Sequence, residues 1–224
     1  MPREFEAQEQ VFNTLIEVRK IAGILGMATE VAALAANDKS GLGKRDEADQ
    51  AAVDAMRKFL NGLHIRGVIE VGEGLKDKAP MLFIGEKVGM GNGPELSIAL
   101  DPIDGTNATA GLKHGAISVL AASEKGGILR LPNDLHYVDK LITGPQARGL
   151  VNINTPVSEN LKVIAISLNK DIPDLRIVVL DRPRNQNLIL EIREAGAKVS
   201  LIDYGDLMPG VLTCIEGAGV HGVM

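Results

Sequence analysis

The hexapeptide Asp101-Pro102-Ile103-Asp104-Gly105-Thr106 holds the densest chemistry in the chain. Leu96, Ile98 and Leu100 alternate onto one face of a strand that delivers Asp101 to a turn, and Pro102 fixes the exit. The turn is expected to bring Asp104 back close to Asp101. Two carboxylates held together repel, and one pKa rises unless a cation lies between them. Paired hard oxygen donors suit Mg2+ or Mn2+. Gly105 and Thr106 then offer backbone N–H groups and a hydroxyl, the chemistry of a phosphate cradle. A bare Asp-x-x-Asp-Gly is also an ordinary turn; the full six-residue string is far more specific.

Two further carboxylates stand where they can join this pair. Gly72-Glu73-Gly74 follows a strand, and glycines on both sides leave Glu73 open to a ligand, although a surface hairpin reads the same way. Asp49 is expected in the first turn of a helix, on the side of Val53, Met56 and Leu60. A carboxylate above an apolar stripe needs a partner, or else it serves the helix dipole. Together Asp49, Glu73, Asp101 and Asp104 make an oxygen-ligand set for two divalent metals.

A second cluster lies later in the chain. Asp181-Arg182-Pro183-Arg184 follows the run Leu175–Leu180, apolar but for Arg176, at the strand end where ligands bind in open α/β sheets. Two arginines flanking a proline can fork onto a phosphate, or form a solvated turn. Tyr204-Gly205-Asp206 ends the neighbouring strand at the same edge. Phosphate donors beside hydroxyl acceptors read as a sugar-phosphate pocket.

The elements that must position these residues follow from periodicity. Residues 10–36 read as a helix, with Val11, Leu15, Val18, Ala22 and Leu25 on one face, continued by Ile24, Ala28, Val31 and Ala35. A second helix runs from about 47 to 60 with Asp46 as its N-cap. Ile65–Val71, Met81–Ile84, Leu96–Leu100 and Ala116–Ala122 are short runs bounded by Gly and Pro, and read as strands. Beyond about residue 150, a helix opens with Thr155 as cap and Pro156 at its first position. The strand Leu175–Leu180, a helix over 185–195 closed by Gly196 and the strand Val199–Ile202 make a β-α-β unit. The expectation is an α/β chain with an α+β metal-binding domain over 1–150 and an α/β substrate domain over 151–224.

The 224 residues are enough for a substantial core. A net charge of −5 argues against broad nucleic-acid binding, which needs clustered Lys and Arg. With no Trp and 3% aromatic residues, a base-stacking platform is missing too. The longest strongly apolar stretch, near Ile21–Ala28, is far too short to span a membrane. The single cysteine, Cys214, cannot make an internal disulfide, so a reducing, cytoplasmic setting is expected. Val211–Ile215 reads as a buried strand, which places Cys214 in the core rather than in a nucleophilic role. His64, His114, His136 and His221 show no metal-ligand spacing.

The hexapeptide resembles the signature of the lithium-sensitive, metal-dependent sugar and inositol phosphatase superfamily. Ala48–Val53, Val71–Gly74, Asp77–Gly89, Arg182-Pro183-Arg184 and Leu212–Cys214 narrow the resemblance to class II fructose-1,6-bisphosphatases of the GlpX type, from about Glu30 to Met224. The resemblance implies a layered α/β sandwich, Mg2+ or Mn2+, and hydrolysis of the 1-phosphate of fructose 1,6-bisphosphate, with sedoheptulose 1,7-bisphosphate as the alternative substrate. By position, Asp49, Glu73, Asp101 and Asp104 are implied as metal ligands, and Asp77 with Thr106 as catalytic. Asp104, Gly105, Thr106, Tyr137, Arg182, Pro183, Arg184, Gly205 and Asp206 are implied to line the substrate.

Departures are visible. Leu75 stands where the family has Glu, Arg45 where it has Lys, Asp104 where it has Glu, and Tyr204 where it has Asp. The family pattern also continues past Met224 with a glycine-rich segment whose Glu is another ligand. The sequence expectation is therefore self-association over the second half, weak metal affinity and low activity. A paralogue that binds a sugar phosphate or a partner subunit without turnover is the rival.

Overall fold

The computed structural model of the chain describes residues 2–73, 81–129 and 138–224, with side chains from Arg19 onward. The chain is a mixed α/β protein of helices and two sheets. It forms two compact units, Met1–Lys113 with Ser118–Leu131, and His114–Ile117 with Pro132–Met224. The last crossing from one unit to the other falls at 131/132. The segment after it joins the second unit because Ile142 exchanges both backbone hydrogen bonds with Val223, at 2.9 Å each.

In the first unit, α1 (Pro2–Asn37) packs on α2 (Arg45–Asn61). Leu25, Ala28, Ala32 and Ala36 form the buried stripe of α1, facing a core with Ala48, Ala52, Met56 and Leu60. Small side chains at helical spacing let the two helices approach closely. The expected face is corrected: Ala22 and Ile24 are exposed. Apolar residues surround most of this helix, so periodicity alone cannot choose a face. Helix α2 begins at Arg45 with Lys44 at the cap position and no side-chain cap, so Asp46 is a first-turn carboxylate rather than the cap.

The first sheet has the order β2–β1–β3–β4. Its strands are β1 (Arg66–Val71), β2 (Lys87–Val88), β3 (Glu95–Asp104) and β4 (Ile117–Glu124). β1 runs parallel to β3 and antiparallel to β2. Met81–Ile84 is not a strand; it contributes one bridge, Phe83 to Glu73. β3 runs on through Asp104, so the chain turns at Gly105 rather than at Pro102. Gly105 has φ of +90° and starts the short helix α3 (Thr106–Ala110).

In the second unit, α4 (Val157–Ser167) and α5 (Gln186–Glu194) cover a parallel sheet of order β6–β5–β7. These strands are β5 (Arg176–Leu180), β6 (Lys198–Ile202) and β7 (Gly222–Val223). The β-α-β reading holds. Ile177, Val178 and Val179 of the central strand are all buried, as for a strand covered on both faces. Pro156, rather than Thr155, sits at the cap position of α4, so the helix starts one residue later than expected. The buried Asn160 amide donates to the carbonyls of Asn152 and Thr155 and pins the loop entering the helix.

Val211–Ile215 is corrected. It belongs to helix α6 (Leu207–Leu212) and the turns that follow. Cys214 is exposed, with Val211 47% and Ile215 52% exposed. A short apolar run cannot be assigned to strand or helix by pattern alone. No helix among the described residues is long and apolar enough to cross a membrane.

Candidate functional site

Parallel pairing of β1 and β3 sets the first cluster. The last paired residues are Val71 and Ala99, and two residues beyond each lies a carboxylate, Glu73 and Asp101. Both strands therefore deliver an acid to the same, C-terminal edge of the sheet. Gly72 is required there, because a Cβ would lie 2.2 Å from the Leu82 carbonyl oxygen. The Glu73 N–H donates to that same carbonyl at 3.0 Å. Asp49 comes from α2, and the Thr106 hydroxyl reaches its Oδ1 at 3.3 Å.

The structure thus brings Asp49, Asp101, Asp104 and Thr106 into one neighbourhood. Asp101 carries the electrostatic signature. Burial first, then Asp104 and more weakly Asp49, push its carboxyl up from the ordinary 3.8 to about 6, against a 3.0 Å hydrogen bond from the Ile103 N–H. Three crowded carboxylates, one of them desolvated, are the donor chemistry of a hard divalent cation. Among the described residues, however, no three acidic, imidazole or thiol groups are already disposed around a single point that an ion could occupy. Asp77 lies outside the described residues, as does Leu75.

The second cluster lies wholly in the second unit. Arg184, Asp206 and Lys140 line a cavity of about 750 Å3, with Asn185, Asn187 and Glu191 among the other polar walls. Asp206 pairs with Lys140. Pro183 opens a single 3-10 turn that aims the chain into α5. Gly205, at φ +75°, makes the bend before α6. Arg182 departs from the phosphate-fork expectation. Its guanidinium donates to the backbone carbonyls of Asp181, at 2.8 Å, and Asp203. It joins the ends of β5 and β6, and Arg184 is the arginine that faces the cavity. Tyr137 lies outside the described residues.

The profile of bacterial fructose-1,6-bisphosphatase, glpX-encoded, matches residues 19–224. The chain belongs to the GlpX-type bacterial fructose-1,6-bisphosphatase family. Among its relatives, a protein of Prochlorococcus marinus (strain NATL1A) is 45% identical over 195 residues, covering 87% of this chain and 58% of the relative. One from Synechococcus sp. (strain JA-2-3B'a(2-13)) is 46% identical over 207 residues, covering 87% and 59%. Both are named D-fructose 1,6-bisphosphatase class 2/sedoheptulose 1,7-bisphosphatase. The chain therefore spans just under three-fifths of the length of these relatives.

Within this GlpX-type chain, sequence reasoning missed Lys140. A lone lysine in Val138-Asp139-Lys140 carries no motif. Its significance is its pairing with Asp206, 66 positions later, which only the fold creates.

Proposed function

We propose that this chain acts in the Mg2+- or Mn2+-dependent hydrolysis of the 1-phosphate of fructose 1,6-bisphosphate. The observation that carries the proposal is the desolvated Asp101 carboxyl, raised to about 6 beside Asp104 and Asp49, at the C-terminal edge of a parallel pair of strands. Family membership supplies the chemical class. Asp49, Glu73, Asp101 and Asp104 would hold the cations, which when bound supply an activated water and charge neutralisation on the leaving oxygen. In this reading Thr106 orients the attacking water through its hydroxyl, and Asp77 takes its proton. In the second unit, Arg184 holds a phosphate while Asp206 and the backbone at Gly205 accept sugar hydroxyls. Pro183 and Arg182 keep that arm in place.

Sedoheptulose 1,7-bisphosphate is the second substrate reading, since the relatives' names carry both activities. Binding without turnover is the third, favoured by Leu75, which stands where the family has a carboxylate. Self-association and a cytoplasmic location belong to the same proposal, and size-exclusion chromatography with light scattering measures the first. The deciding experiment is phosphate release from each bisphosphate with Mn2+ or Mg2+, with inositol monophosphate as control. Release that requires the cation and is lost in Asp101→Asn supports hydrolysis. Bisphosphate binding with no release at any cation concentration supports the non-catalytic reading.

A further inference from the structure

Lys170, Arg176, Lys198 and His221 line a single cavity of about 900 Å3 in the second unit. They come from four separate places in the sequence. Lys170 follows α4, Arg176 opens β5, Lys198 opens β6 and His221 immediately precedes β7. Because the three strands are parallel, all three strand starts lie at one edge, and Arg176 is paired in register with Lys198. This is the opposite edge from Asp181 and Arg184, which follow the end of β5.

Three features give the cavity a ligand preference. First, none of Lys170, Arg176 and Lys198 makes an ion pair among the described residues. The acidic residues of the lining are Asp174 and Glu216. The concentration of cations runs against a chain whose net charge is −5. Second, the cations act on one point. His221 is held below its ordinary pKa by burial and then by Lys170, Arg176 and Lys198, with Asp174 opposing. Third, His221 is fixed in place. Its Nδ1 accepts the Arg176 N–H at 2.8 Å, and its own N–H donates to the Arg176 carbonyl at 3.0 Å. Gln146, Ser167, Asn169 and Thr213 add neutral polar groups to the walls.

We propose that this cavity binds a small phosphorylated metabolite bearing at least two negative charges, at a site separate from Arg184. A guanidinium offers a planar fork to phosphate oxygens and two ammonium groups offer point charges, so the set suits a compact polyanion. The volume lies within the range of small-molecule sites, roughly 300–1000 Å3. A concave pocket on an acidic protein selects a free anion over an extended phosphate polymer, which needs a broad basic surface.

Inorganic pyrophosphate is the probe. Titrated into the 15N-labelled chain at low salt, it should shift the amides of Lys170, Arg176 and Gly217–His221. The double variant Lys170→Ala/Lys198→Ala should bind at least about tenfold more weakly by calorimetry, the loss expected for two charge-assisted contacts. Both lysines are exposed, so its melting temperature should stay close to that of the parent. Shifts confined to Asp181–Asn185 and Asp203–Asp206, no shifts at all, or an affinity within about twofold of the parent would overturn the assignment.

Discussion

The Thr106 hydroxyl lies 3.3 Å from both Asp49 Oδ1 and the Ile103 carbonyl oxygen. It has one proton to give, so it either shares it between them or alternates. Either way it couples helix α2 to the turn after β3, across 57 positions of sequence. Thr106→Val removes the donor and keeps the shape. It should lower unfolding stability by about 0.5–1.5 kcal/mol in urea titrations, while Thr106→Ser stays near the parent. If the proposed hydrolysis holds, kcat should fall in Thr106→Val and recover in Thr106→Ser. Equal loss in both variants would remove Thr106 from the chemistry.

Asp101 gives a stability prediction with a definite sign. A carboxyl at about 6 when folded, against an ordinary 3.8, binds its proton more tightly in the folded chain. In cation-free buffer, stability should therefore be fullest below pH 3.8, as far as this group goes, and decline as pH rises to about 6. Asp101→Asn should remove that decline and be more stable at pH 7 by on the order of 2 kcal/mol. Added Mn2+ should raise the melting temperature of the parent but barely that of the variant. A variant that is less stable than the parent at pH 7 without cation would contradict the crowding argument.

Arg57 and Glu86 form an ion pair of 2.5 Å that ties α2 to the segment entering β2. Glu86 is buried at 6% exposure, and its second carboxylate oxygen has no hydrogen-bond partner in the described structure. Removing the cation alone leaves that charge stranded. Arg57→Ala should thus cost about 2–4 kcal/mol, and the double variant Arg57→Ala/Glu86→Leu substantially less. Chemical denaturation of the two variants and the parent checks the order.

The two arginines around Pro183 should separate in experiment. Arg182 spends its guanidinium on the carbonyls of Asp181 and Asp203, so Arg182→Ala should destabilise the second unit by about 1–3 kcal/mol. Arg184 lines the cavity beside the Lys140–Asp206 pair. Arg184→Ala should weaken sugar-bisphosphate binding by about 1.5–3 kcal/mol, well beyond any effect of Arg182→Ala on the same titration. Calorimetric titration beside thermal melting distinguishes them, and a reversed pattern would exchange their roles.

The sequence by itself determined the periodic parts of this protein. Within Leu175–Leu180 the apolar stretch Ile177–Leu180 had to be a covered strand because it leaves no face for water, and Gly196 had to close the helix before β6. It also marked Asp49, Glu73, Asp101 and Asp104 as candidates, by a helix's first turn, a place between two glycines, a strand end and a tight turn. The tertiary structure decided what depends on distance. The apolar first helix has several candidate faces, and only packing against α2 selected Leu25, Ala28, Ala32 and Ala36. Val211–Ile215 suits strand or helix equally, and its neighbours made it a helix end with Cys214 in solvent. Arg182 and Arg184 look alike in sequence; the Asp203 carbonyl comes within reach of Arg182 only once β5 and β6 pair. Likewise Lys140 meets Asp206 only in the folded chain, and Arg176, Lys198 and His221 reach one cavity because the parallel strands β5, β6 and β7 start at a common edge. Charge and hydrogen bonding act through space, and a linear pattern records only the separations along the chain.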